Sequence, residues 1–245
     1  GIGGRLSTRR TQWGSFDHGA QYATVRDPAF SQYIAELHQK KAVHIWDAAK
    51  PGAVIGSPGM AALVKPGFEG QDAISVVTSF EVAHIGKVAE GYVLSDMDGN
   101  HQGPFDRVIV TAPSPQAAHL LQAFGEPFDR LSNVKYAPSY TLLAAFDKPL
   151  DLPDLPELSE DSQLASACRQ SARGPGRESN HDLWVVQASA VYSAENIERE
   201  REAMVPVLLR LFHDAMGVDV PQPVYGAGHR WRYALVEEAG CEPFL

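Results

Sequence analysis

A mixed fold of the α/β (α+β) class is what this sequence predicts, and three observations carry the prediction. Capped amphipathic segments near residues 27–37 and 114–124 read as helices. The run at 74–82, rich in β-branched residues, and the apolar run at 140–146 read as strands. The short run Val108, Ile109, Val110 fits a strand buried on both faces, as in a parallel sheet.

The elements follow in order. Asp27 caps the first helix, and Pro28 suits its first turn because the missing N–H would be unpaired there anyway. Phe30, Tyr33, Ile34 and Leu37 then form one apolar face. Residues 52–59 are a turn-rich segment around Val54 and Ile55. Residues 92–95 pair with 74–82, and Asp98-Gly99 marks a tight turn. Ser114-Pro115 opens the second helix, with Ala118, Leu121 and Phe124 inward. The acidic, proline-rich stretch 149–161 and the Gly/Arg/Ser-rich stretch 171–180 are loops, and 183–188 is a strand. The longest helical pattern runs over 193–216, with Pro206 kinking it or starting a new helix and Gly217 capping its end.

The chain has 245 residues, 44% hydrophobic and 21% charged, enough for a substantial core. Its 21 basic and 30 acidic residues leave a net charge of −9, which argues against nucleic-acid and anionic-membrane partners. No apolar run is long enough to span a bilayer. Cys168 and Cys241 lie far apart with no CxxC spacing, so a reducing, cytoplasmic compartment is expected. The chain opens without an initiator Met and stops in mid-phrase, so it reads as an internal piece of a longer protein.

Most catalytic motifs are missing. There is no HExxH, GxSxG or GxxxxGK[ST]. The string Asp96-Met97-Asp98-Gly99-Asn100 has its glycine misplaced for a calcium loop and reads as a plain turn. The nine histidines show no ligand spacing, and no metal is expected. Leu6 stands where the last glycine of a GxGxxG would fall after Gly1 and Gly3, and Trp231 does the same after Gly226 and Gly228. The pair Gly3-Gly4 before Arg5 permits close approach of backbone to an anion, or is simply a turn beside a surface arginine.

A wider pattern joins these pieces. Gly3-Gly4-Arg5-Leu6-Ser7-Thr8-Arg9-Arg10, Phe16-Asp17-His18-Gly19-Ala20-Gln21-Tyr22, Gly56-Ser57-Pro58-Gly59-Met60, Asp106 to Gln116, and His229-Arg230-Trp231-Arg232-Tyr233-Ala234 occur in one order along the chain. Together they resemble the renalase-like branch of the FAD-dependent amine oxidase superfamily. The resemblance implies a Rossmann-type FAD domain, here partial, interleaved with a mixed-sheet substrate domain. On that map residues 1–12 and 61–112 are remnants of the FAD domain, 13–60 and 113–234 form the substrate domain, and 235–245 are a truncated return. It also implies a strand and GxGxxG unit of roughly 30 residues upstream and a flavin segment downstream. Without them the isolated chain is expected to hold FAD poorly, since pyrophosphate binds largely at the first helix N-terminus.

The resemblance implies roles for particular residues, each with a structural alternative. Gly3, Gly4 and Arg5 face the pyrophosphate, or form a turn. Gln21 and Tyr22 lie close to the flavin ring, or are core residues with satisfied polar atoms. Pro58, Gly59 and Met60 line the gap between flavin and substrate, or make a tight turn. Thr111, Ala112 and Pro113 end a cofactor-domain strand, or only pack there. His229, Arg230 and Trp231 hold a planar, anionic substrate, or Arg230 is structural. No acid–base catalytic residue is implied. The expected reaction transfers a hydride from a small molecule, a reduced nicotinamide dinucleotide isomer or an amine, to FAD and then to O2. The alternative is a non-catalytic fragment or binding module without FAD.

Overall fold

The computed structural model describes residues 2–126 and 128–240. Cys241 and the rest of 241–245 lie outside them. In chain order come β1 (Thr8–Thr11), β2 (Gly14–Asp17), β3 (Ala23–Thr24), α1 (Pro28–Gln39), β4 (Val43–Ile45) and β5 (Ala53–Gly56). Next are β6 (His84–Val88), β7 (Gly91–Ser95), β8 (His101–Phe105) and α2 (Ser114–Leu121). The chain finishes with β9 (Lys135–Phe146), β10 (Leu164–Arg169), β11 (Asp182–Ala188), α3 (Ala190–Glu195), α4 (Arg201–Met216) and β12 (Tyr225–Glu238). The α/β class is as expected, with several antiparallel ladders. The chain divides into two compact units: residues up to Ile74 together with Pro138–Ala234, and Ser75–Ala137 with residues from Leu235 on.

The larger unit holds the sheet β10-β11-β9-β12, the hairpin β1-β2 and the small sheet β3-β5-β4. Its core follows from alternation along two paired strands. Leu142, Ala144 and Phe146 of β9 and Trp184 and Val186 of β11 point to one face and pack under Met204, Leu208 and Phe212 of α4. Leu143, Ala145, Leu183 and Val185 point to the other and close over Phe16 of β2. Both faces are covered, so residues 142–146 of β9 and 183–186 of β11 are unbroken apolar runs. In α1, Asp27 accepts from the Phe30 amide at 3.0 Å, and Pro28 opens the helix as expected. Ile34 and Leu37 then bury against Val43, Trp46 and Ile55, each contributing roughly 1.5–3 kcal/mol.

The smaller unit is built on the antiparallel meander β6-β7-β8. Asp96 Oδ1 accepts from the Asp98 and Asn100 amides and Gly99 takes φ +82°, so Asp98-Gly99 is the plain turn expected. The partner of β7 is β6, however, and residues 74–82 form no strand. Val77 is 57% exposed, and β-branched residues favour strands only where a pleated surface can half-bury them. The run Val108–Val110 likewise joins no sheet, and Ile109 is 87% exposed. The five residues of β8, which ends at Phe105, already complete the meander, and no ladder among the described residues takes up the run.

One helix boundary and two strands also differ from expectation. The helical pattern over 193–216 is broken at 196–200, and α4 starts at Arg201 with Pro206 inside it. Gly217 caps it with φ +63°, as expected. Strands β10 and β12 had not been expected, because small and polar residues interrupt their apolar pattern.

Candidate functional site

The hairpin β1-β2 brings the string 16–22 back beside the Gly3–Arg5 turn. Ala20 N donates to Arg5 O at 2.9 Å. Gly19 is packed so tightly that a Cβ there would lie 2.0 Å from Arg5 O and 3.3 Å from the Trp231 ring. Gly3 at φ +112° and Gly4 at φ +48° shape the turn, closed by Leu6 N donating to Gly3 O at 2.7 Å. Gly4 and Arg5 are exposed, and nothing lies within 4 Å of where a Gly4 Cβ would be. Arg5 donates one guanidinium N–H to Ala234 O at 2.9 Å. Open backbone beside a tethered guanidinium fits one anionic end of a dinucleotide cofactor.

Gln21 is buried, and its amide is fully used. Nε2 donates to the carbonyls of Asp17 (2.6 Å) and Gly19 (3.1 Å), while Oε1 accepts from Gln170 (3.0 Å) and Arg173 (3.1 Å). An amide offers two donors and two acceptor lone pairs. Gln21 therefore holds the loop and has no hydrogen bond left for a ring. Tyr22 is half-buried, with its ring near Trp46 and under the Lys50 ammonium at 5.3 Å.

Pro58, Gly59 and Met60 form a tight turn. A Cβ on Gly59 would meet Thr8 Oγ1 at 2.4 Å, and one on Gly56 would meet Gly59 O at 2.3 Å. Met60 is completely buried in the α1 core, its amide donating to Asp17 Oδ1 at 2.9 Å. Thr111 and Ala112 are exposed and Pro113 precedes α2; all three lie in the smaller unit.

On β12, Trp231 Nε1 donates to His18 O at 2.8 Å and its ring stacks on His18 at 5.4 Å. His229 meets both rings edge-on, 4.8 Å from His18 and 4.4 Å from Trp231. Burial, then His18, Arg9 and Arg201, hold His229 down to about 4, and burial also lowers His18. Both imidazoles are therefore neutral at pH 7. Arg230 points elsewhere: its NH1 donates to the carbonyls of Ile197 (2.7 Å) and Arg199 (3.4 Å) in the α3–α4 connection. The expected residues thus form two contact groups flanking the 16–22 loop, Tyr22 with Trp46 and Trp231 with the histidines.

Beneath that loop sits a group that sequence reasoning missed. Asp17 accepts from Thr8 Oγ1 at 2.6 Å and lies in ion-pair contact with Arg173 and Arg177. Arg177 also donates to Gly56 O at 2.6 Å, and Arg173 stacks over Trp46 at 4.6 Å. Asp17 was visible in the quoted string, but both arginines fall in the stretch read only as loop.

The fold is that of FAD-dependent oxidoreductases. A protein assigned as a protoporphyrinogen oxidase from Exiguobacterium sp. 255-15 matches with TM-score 0.59 at 14% identity, over 76% of this chain and 41% of its own. A putrescine oxidase redesigned in its cofactor binding matches at 0.53 and 11%, over 72% and 39%. A reduced UDP-galactopyranose mutase matches at 0.54 and 11%, over 74% and 40%. The chain spans about two-fifths of the length of these structures. The family model of flavin containing amine oxidoreductases matches residues 59–240, and the chain belongs to that family. No helix among the described residues is long and apolar enough to cross a membrane.

Proposed function

We propose that this chain is part of a flavin-dependent oxidase of the renalase-like branch, with a reduced nicotinamide dinucleotide isomer or a small amine as hydride donor. The observation that carries the reading is the exposed Gly4 backbone in the Gly3-Gly4 turn, with Arg5 tethered to Ala234 and free to present further N–H groups to a diphosphate. When bound, FAD supplies the hydride acceptor that O2 reoxidises. Arg5 and the Gly4 backbone bind its anionic portion. Asp17 and Gln21 fix the loop beside it, and the tight packing at Gly19 excludes water there. His18, His229 and Trp231 offer an uncharged aromatic wall at neutral pH. The reading keeps residues 1–12 and 61–112 with the cofactor domain and places the whole protein in a reducing compartment.

The test is the visible spectrum of the whole protein expressed from its gene. Flavin absorbance that is released on denaturation, with H2O2 formed on adding one of the two donor classes, is the expected result. Arg5→Ala should weaken FAD retention roughly tenfold, the loss of one charge-assisted hydrogen bond, while changing the Tm of the FAD-free protein little, because the bond lost to Ala234 is exposed. A colourless protein that takes up no added FAD overturns the reading.

A further inference from the structure

The Asp17 group is short of acceptors. Asp17 Oδ1 takes the Thr8 hydroxyl and the Met60 amide, and Oδ2 faces both arginines. Gln170 Oε1 takes the Asp17 amide (3.1 Å) and Arg173 NH1 (3.0 Å), and Gln21 Oε1 is filled as described. Three guanidinium nitrogens remain without any acceptor: Nε and NH2 of Arg173 and Nε of Arg177. The side chains of Asp17, Arg173 and Arg177 are 0%, 0% and 1% exposed, so bulk water does not supply one.

The charges do not balance either. Two arginines, always protonated in proteins, face one carboxylate. Asp154 and Asp182 both pair with Arg169, at 2.6 and 2.8 Å, and among the described residues neither forms an ion pair with Arg173 or Arg177. Cys168 is close by, but its Sγ donates to Arg169 O at 3.5 Å and so carries its proton. A buried cation without a counter-charge costs several kcal/mol, and buried polar donors are nearly always satisfied. The stacking of Arg173 on Trp46 offsets part of this cost but supplies neither charge nor lone pair on the guanidinium edge.

We infer that Arg173 and Arg177 form a buried site for a small monovalent anion of chloride's size and charge, which completes the Asp17 cluster. The ion is a structural component that sets the loop 16–22 from below, independent of which substrate the protein uses.

The protein is dialysed into gluconate, and chloride is titrated in at constant ionic strength while Tm is followed. Tm should rise saturably, by roughly 3–6 °C when chloride is about tenfold above its Kd. Bromide and nitrate should substitute. Arg173→Met removes both the excess charge and two open donors, and should abolish the dependence. Should that variant fail to fold, the 35Cl NMR linewidth of the wild-type solution decides: broadening that bromide competes away supports the site. Equal Tm in chloride and gluconate with no 35Cl broadening overturns it. So does a rise that never saturates and persists in Arg173→Met, the mark of weak surface binding.

Discussion

The Met60 amide donates to Asp17 Oδ1 at 2.9 Å, joining segments 43 residues apart. Through this bond the end of β2 holds the 56–60 turn, and the same carboxylate receives Thr8 and both buried arginines. One side chain therefore fixes the relative position of three strings that the sequence presents separately.

Removing that carboxylate should be severe. Asp17→Asn keeps the volume but leaves two buried arginines without their carboxylate, and a broken buried pair costs about 3–5 kcal/mol. Chemical denaturation should show the loss as a lowered midpoint. An unchanged midpoint would mean that the cluster is not charged as described.

Gly59→Ala tests the packing of the same turn from the other side. Gly59 is extended at φ −162°, so the penalty is one of space and not of backbone conformation. The new methyl would lie 2.4 Å from Thr8 Oγ1, which is itself held by Asp17. Overpacking of this kind costs about 1–3 kcal/mol, and the thermal melt should reveal it. Gly4→Ala meets no neighbour, though its φ of +48° adds strain, so its loss should be the smaller of the two.

The fold was legible wherever periodicity alone decides it. The Asp27 cap, the α1 face and the β9 and β11 cores follow from residue spacing. The 106–111 and 74–82 segments did not, because a β-branched run becomes a strand only if a neighbour accepts its hydrogen bonds. The site was legible as strings but not as geometry. Gln21 could be named, yet nothing in the sequence shows that Gln170 and Arg173, about 150 residues away, consume its amide.

Acid should destabilise the larger unit through His229. Its folded value of about 4 lies below the ordinary imidazole value of 6.5, so between those values the unfolded chain binds more protons. Stability from this group is full above about 6.5 and falls as pH drops towards 4. Melting curves across that window should show the decline. His229→Phe, which cannot titrate, should flatten it, and an unchanged slope would assign the decline to other groups.

Arg230→Ala should act on the fold. The guanidinium holds the Ile197 and Arg199 carbonyls, which Tyr140 Oη also donates to. Loss of these bonds should cost about 1–3 kcal/mol, seen as a lowered Tm. Substrate affinity per folded molecule should hold. A weakened affinity at unchanged Tm would instead make Arg230 a ligand contact.

Cys168 gives the core a built-in clock. It is the free thiol among the described residues, fully enclosed between the β10 ladder and the α1 core, and burial pushes it up to about 11. A thiol reagent in neutral buffer meets almost no thiolate and no open path, so alkylation must wait for the protein to breathe. The labelling rate of this one atom then reads out how often the interior opens, and any ligand that quiets the fold should slow it.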